Sequence, residues 1–381
     1  MLKALDIWLP AWRQRNRTPH QQPLGVRHVM LCVCDHFEPF HHVEKPEALA
    51  RVETWRREFT KLAGEFQDAD GASPRHTFFY PIEQYEPEVV GNLADLCHAT
   101  GSEVEIHLHH DHDTAENLRR TLEEGKARLA SHGCLARDEA GALRYGFVHG
   151  NWALDNSHPQ GRHCGVDAEL PVLAQTGCYG DFTLPSAPNR TQTRTINTLY
   201  YAREDGLAKS HDTGQRVRAE REPRAVRDDE LLIVQGPLAL NWQRRKHGIL
   251  PRIENSDLTG ANPPTSERLR LWLDCRITVE GRPNWLFVKL HTHGAIERNS
   301  RMLLGEPMRA FHRALAEIAA KDDTLRFHYV TARELVNILH AAEAGHSGEP
   351  GQFRDFRYRG QGSGVRSQES VVPHSNLTPD P

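Results

Sequence analysis

The sequence predicts an α/β protein built as a (β/α) barrel. Short apolar runs alternate with amphipathic helical patterns over most of the chain. About eight of these runs have the length and composition of strands, with helices between most of them. Side chains able to do chemistry gather just after the runs, and a barrel gathers strand ends on one rim.

The first run is HVMLCVC at 28–34, followed by a helix over KPEALARVETWRREFTKLAGEF with Pro46 in its first turn. HTFFYP (76–81) is the second strand, and a helix from about Glu86 to Ala99 stops at Gly101. EVEIHLHH is the third strand, and Thr114 opens a long charged helix running towards His132. YGFVHG (145–150), a helix around 167–175 and the strand CYGDFT continue the alternation. It breaks down over 185–229, a Thr- and Arg-rich stretch read as an insertion. LLIVQG (231–236) and WLFVKLHTHG (285–294) resume the strands; a helix near 306–320, the strand LRFHYV and a helix from Thr331 follow. These elements predict one domain over 20–345. Beyond Gly348 the composition turns to Gly, Ser, Gln, Pro and Arg without periodicity, which predicts a disordered tail over 349–381.

The formal net charge of -4 on 381 residues, with basic side chains scattered, argues against a nucleic-acid partner. No run of about 18 apolar residues is present, so no membrane span is expected. The segment MLKALDIWLPAWRQRNR is broken by Asp6 and Pro10 and makes a poor signal peptide; its apolar face is expected to pack on the domain. Seven cysteines without a CxxC pair fit a reducing compartment, and the expected location is the cytoplasm.

Histidine is the anomaly, with 24 in the chain. EIHLHHDHD (105–113) alone holds four, with two aspartates. Asp35, His36 and Glu38 follow the first strand, and His107, His109, His110 and Asp111 end the third. His149, Asn151 and Trp152 follow the fourth, Asp181 ends the fifth, and His291 and His293 end the late strand. Each alone has an ordinary reading: a surface histidine, a solvated turn, a core tryptophan. Together they supply what a divalent metal needs. Imidazole and carboxylate suit zinc, with open positions for water and substrate. Such an ion activates water and polarises a carbonyl.

The stretch HTFFYPIEQYEPEVVGNLADLCHATGSEVEIHLHH resembles the polysaccharide deacetylases, in which a T-F-F strand, a helix and a glycine lead to a strand supplying a metal-binding histidine. The resemblance covers roughly residues 28–340, loosely beyond 113, and implies a distorted (β/α) barrel. It also implies a metal-dependent hydrolase that removes an acyl group from an N-acetylated sugar or glycan intermediate. Asp35 would be the base, His36, His107 and Asp111 the metal ligands with His109 as substitute, and His291 the acid supported by Asp181. The sequence departs from the family where His36 replaces a second aspartate and Asp111 a histidine. FVHGNW stands in place of Arg-x-Pro-Tyr, making His149, Asn151 and Trp152 the expected substrate contacts. Two alternatives stand beside this reading. One is a metal-free glycosidase using Asp35, Glu38 and Asp181. The other is an inactive glycan-binding protein with Trp152, Trp242 and Trp285 as platforms.

Overall fold

The alternation of apolar residues places strands where they were expected and gives each strand two faces. A computed structural model describes residues 3–17, 23, 25–220 and 227–360. The chain begins with α1 (Leu5–Arg17), β1 (Arg27–His36), α2 (Lys45–Glu65), β2 (Thr77–Pro81), α3 (Pro87–Thr100) and β3 (Glu103–Leu108). There follow α4 (Ala115–Ser131), β4 (Ala136–Arg137), β5 (Leu143–His149), α5 (Glu169–Gln175) and β6 (Cys178–Asp181). Then come β7 (Leu199–Arg203), β8 (Gln215–Arg216), β9 (Glu230–Val234), β10 (Ala239–Lys246), β11 (Leu250–Glu254) and β12 (Asp257–Leu258). The last elements are α6 (Ser266–Asp274), β13 (Trp285–Thr292), α7 (Glu297–Leu303), α8 (Glu306–Lys321), β14 (Leu325–Tyr329) and α9 (Ala332–Glu343).

These build a mixed α/β architecture around one large, mostly parallel sheet in the order β12-β13-β1-β2-β3-β5-β6-β9-β7-β8. β13 pairs with β1 from His28 to Asp35, so the other edge of β1 is shared. β14 takes Arg27–Leu31 and β2 takes Cys34–His36. On one face of β1, Val29, Leu31 and Val33 join the core under α2 with Trp55, Phe59 and Leu62. On the other, Met30, Cys32 and Cys34 pack with Phe79, Phe287, Val336 and Leu339. This period-two division decides which strand-end groups can meet.

Five features differ from the sequence expectation. Helix α9 is buried along its whole length on the Met30, Cys32 and Cys34 face of the sheet, the face opposite α2. Its N-terminus is fixed by a capping box of Thr331 and Glu334. Its polar groups are met by residues 349–360, which are ordered. Asn337 binds the carbonyls of Arg354 and Tyr358, both at 2.7 Å, and Arg333 pairs with Asp355 at 2.6 Å. Lack of periodicity concealed this segment because it packs through single side chains. Residues 361–381 of the expected tail lie outside the described residues. The stretch read as an insertion carries β7 and β8, which extend the sheet antiparallel from β9. Residues 239–254 form a separate hairpin of β10 and β11 that the sequence reading missed. Helix α1 lies before the expected domain start, yet Trp8 is fully buried with Ala187, Ile196 and Leu238, matching the expected packing of its apolar face. Among the described residues no helix is long and apolar enough to cross a membrane.

Candidate metal centre

β1 and β13 keep their alternation to the last residue. His36 therefore continues the inner face of Cys32 and Cys34, and His291 that of Phe287. On β3, Val104, Ile106 and Leu108 face the helices, which turns His107 inward. The imidazoles meet at one rim. The His36 ring centroid is 5.2 Å from that of His107, 4.7 Å from His293 and 6.1 Å from His291. The Trp152 ring closes the group at 6.4 Å from His36 and 6.2 Å from His293.

The ligand-ready part is Glu38, His107 and His109, whose Oε1 and Nε2 atoms lie within 4.8 Å of one another. His107 Nδ1 donates to the Val148 carbonyl at 2.8 Å, and His109 Nδ1 donates to Glu83 Oε1 at 2.8 Å. Those partners only accept, so each Nδ1 is committed and Nε2 is the atom each imidazole can offer as a ligand. The two Nε2 atoms stand 3.6 and 3.9 Å from Glu38 Oε1. Two ligands at zinc distances in a tetrahedron are about 3.3–3.4 Å apart, so the spacing fits an ion with small movement. Outer hydrogen bonds that fix the tautomer are what metal-bound histidines carry. His36 Nε2 and His107 Nε2 are buried without a hydrogen-bond partner, and buried polar atoms of that kind need an explanation.

The local electrostatics agree. Burial opposes ionisation of Glu38, but the hydrogen bond and charge of His107, with His109 and His293, outweigh it and hold Glu38 at about 2. Burial drives His36 and His291 well below the usual imidazole range, helped by neighbouring imidazoles and Lys289. Burial also lowers His293. His109 is shifted the other way: burial lowers it, but Glu83 and Glu38 outweigh burial and raise it, so a cation binding there must displace that proton.

Several predicted residues sit elsewhere. Asp35 follows the strand's other face and is fully buried next to Trp55 and His76. Its Oδ1 accepts from Gly294 N at 2.6 Å and its Oδ2 from His76 Nε2 at 2.8 Å, on the face away from the imidazoles. Asp111 is exposed and turned away, accepting from the backbone N–H of His163 at 2.7 Å and of His112 at 3.0 Å. Glu38 takes the place expected of it. Asp181 is fully buried and bound to Thr183 N and Oγ1 at 3.0 and 2.7 Å; it makes no bond to His291. His149 points to the helix side, Asn151 is exposed, and only Trp152 of that trio faces the imidazoles. Trp285 is core and Trp242 lies on the exposed hairpin, so neither joins Trp152. A cavity of about 720 Å³ opens at the opposite end of β3, lined by the Glu103–Arg333 and Glu334–Arg75 ion pairs.

Glu38 and His293 were visible as strand-end groups, but period two alone could not carry them around the turns that bring them inward. No protein-family model matches this chain, and no curated protein matches it.

Proposed function

We propose that the protein is a divalent-metal-dependent hydrolase of the polysaccharide-deacetylase type, cleaving the amide of an N-acylated sugar. The observation that carries this reading is the convergence of Glu38 Oε1, His107 Nε2 and His109 Nε2, with both Nδ1 atoms already committed outward. Two histidines and one carboxylate form a three-ligand set of the kind that leaves zinc a position for water. The ion, when bound, supplies an acidified water and polarises the amide carbonyl.

The chain's own groups do the rest. His36, neutral and unpartnered at Nε2, takes the proton of the attacking water in the role expected of Asp35. That proton is the one the leaving nitrogen receives, handed on through His291 on the facing wall, whose Nδ1 is 3.5 Å from Ser256 Oγ. Trp152 offers an apolar face to a sugar ring, and burial keeps bulk water from the imidazoles. The barrel reading belongs to the same proposal. It is supported by the approach of Gly236, just after β9, to β13: a Cβ there would stand 2.3 Å from the Lys289 carbonyl oxygen. A metal-free glycosidase finds less support, because Asp35 and Asp181 are buried with their oxygens engaged.

The test measures metal content and acetate release from N-acetylated sugars on three variants. His107→Ala and Glu38→Gln are expected to lose the inner ion and turnover together. His36→Ala is expected to keep the ion and lose turnover by about 100-fold or more. Full turnover of metal-free protein would overturn the reading, and loss of metal in His36→Ala would make His36 a ligand instead.

A further inference from the structure

The end of β3 divides its histidines between two sides of the sheet. His107 and His109 face inward, while His110 turns to the helix side. There it meets His149 from the end of β5, Cys164 from the following loop and Glu169 from the first turn of α5. The four ligand atoms lie within 4.8 Å of one another, and His149, Cys164 and Glu169 are fully buried.

The hydrogen bonds around the cluster turn two Nε2 atoms and one carboxylate oxygen towards one another. His110 Nδ1 donates to Asp113 Oδ2 at 3.0 Å and His149 Nδ1 donates to the Gly150 carbonyl at 2.6 Å. A carboxylate and a carbonyl only accept, so each Nδ1 carries a hydrogen. Both Nε2 atoms point into the cluster, 2.8 Å apart. Burial opposes a charge on His110, but Glu169 and Asp113 outweigh it and raise its pKa, so without a metal a proton bridges the two rings. Glu169 Oε1 stands 3.3 Å from one Nε2 and 3.5 Å from the other, yet makes no hydrogen bond. Its Oε2 is satisfied by Asp155 N at 2.5 Å, with Cys164 Sγ at 3.5 Å. A dication would take the place of that proton and also meet Glu169 Oε1, which the proton leaves without a hydrogen bond.

We propose that His110, His149, Cys164 and Glu169 form a second, closed site for a divalent transition metal of the zinc class, separate from the Glu38 centre. Two neutral imidazoles, a thiolate and a carboxylate make a four-coordinate set whose two negative charges match the dication. Binding releases the thiol proton to solvent. The backbone is fitted to this closure. Asp113 N donates to the Cys164 carbonyl at 2.9 Å, and Gly165 has φ +98° with its Cβ position only 2.5 Å from Asp113 N, where no side chain fits. The site pins the loop between β5 and α5, and that loop carries Trp152 to the inner imidazoles. A third group, Asp68, Asp70 and His328, already has a cation in Arg354, whose Nη2 is 3.1 and 2.9 Å from the two aspartates.

The sulfur gives the test its specificity, because the inner centre has no cysteine. The full chain is expressed in cobalt-supplemented medium, and its metal content and absorption spectrum are measured. A near-ultraviolet thiolate-to-cobalt charge-transfer band is expected in the wild type. Cys164→Ser should abolish the band, and His107→Ala should keep it. A folded wild type without the band overturns the proposal, as does a band that survives Cys164→Ser or is lost in His107→Ala. Should Cys164→Ser fail to fold, X-ray absorption on the zinc-grown wild type decides. One sulfur neighbour at about 2.3 Å supports the site, and nitrogen and oxygen neighbours alone overturn it.

Discussion

Asp181 and Asp35 are both buried aspartates at strand ends, and their surroundings give them opposite consequences. Burial pushes Asp181 up to about 6, against the opposing hydrogen bonds from Thr183. An unfolded aspartate titrates near about 3.9. Between those values the folded chain binds more protons, so stability falls as pH rises from about 4 to about 6 and stays lower above. The difference corresponds to about 3 kcal/mol. Asp181→Asn is therefore expected to raise the urea midpoint at pH about 7.5 and to leave it nearly unchanged at pH about 4. Equal effects at both pH values would refute the burial account. Asp35 ties β1 to the turn after β13 through Gly294 N. Asp35→Asn should cost about 1–3 kcal/mol by denaturant unfolding, because an amide nitrogen cannot accept one of the two buried hydrogen bonds. A variant of wild-type stability that lost only turnover would restore Asp35 as the base.

At the scale of elements, α9 depends on a segment that composition alone assigned to a tail. Arg333 links Glu103 at the start of β3 (2.7 Å) to Asp355 (2.6 Å) and to the Tyr358 carbonyl (2.7 Å). Tyr358 stacks on Tyr179 of β6 with centroids 5.4 Å apart. Arg333→Met would leave the partly buried Glu103 without its cation. Its expected effect is a loss of about 3–5 kcal/mol in unfolding free energy. Deuterium exchange should at the same time show faster exchange in α9 and residues 349–360, with α2 and α3 unaffected. Uniform acceleration over all helices would show that the segment has no special coupling to α9.

At the scale of the whole molecule, the approach of the β9 end to β13 brings the far part of the sheet back towards β1. Lys289 Nζ reaches across to the Leu184 carbonyl at 2.8 Å, and Gly236 sits against the Lys289 carbonyl. A methyl at Gly236 meets backbone it cannot displace without opening this junction. Gly236→Ala should lower stability by about 1–3 kcal/mol, measured by urea unfolding. If the junction also holds the His291 wall against His36, the inner metal affinity of the same variant should fall. Unchanged stability would mean that the two strands approach without supporting each other.

The sequence by itself determined the strands and helices of the parallel part of the sheet and the rim on which the histidines gather. Those properties follow from period two, period 3.6 and the capping residues Thr114 and Thr331, all local in the chain. The same period, carried two residues further along β1, would have separated His36 from Asp35. Tertiary structure alone decided the rest. Whether Glu38 or Asp111 joins His107 depends on how two turns fold back, and turns have no periodicity to read. Which face of the sheet α9 covers depends on what meets its polar groups, and residues 349–360 do that from beyond the last periodic element. The division of His109 and His110 between two clusters depends on Cys164 and Glu169 arriving from more than 50 residues away in the chain, a contact that only packing creates.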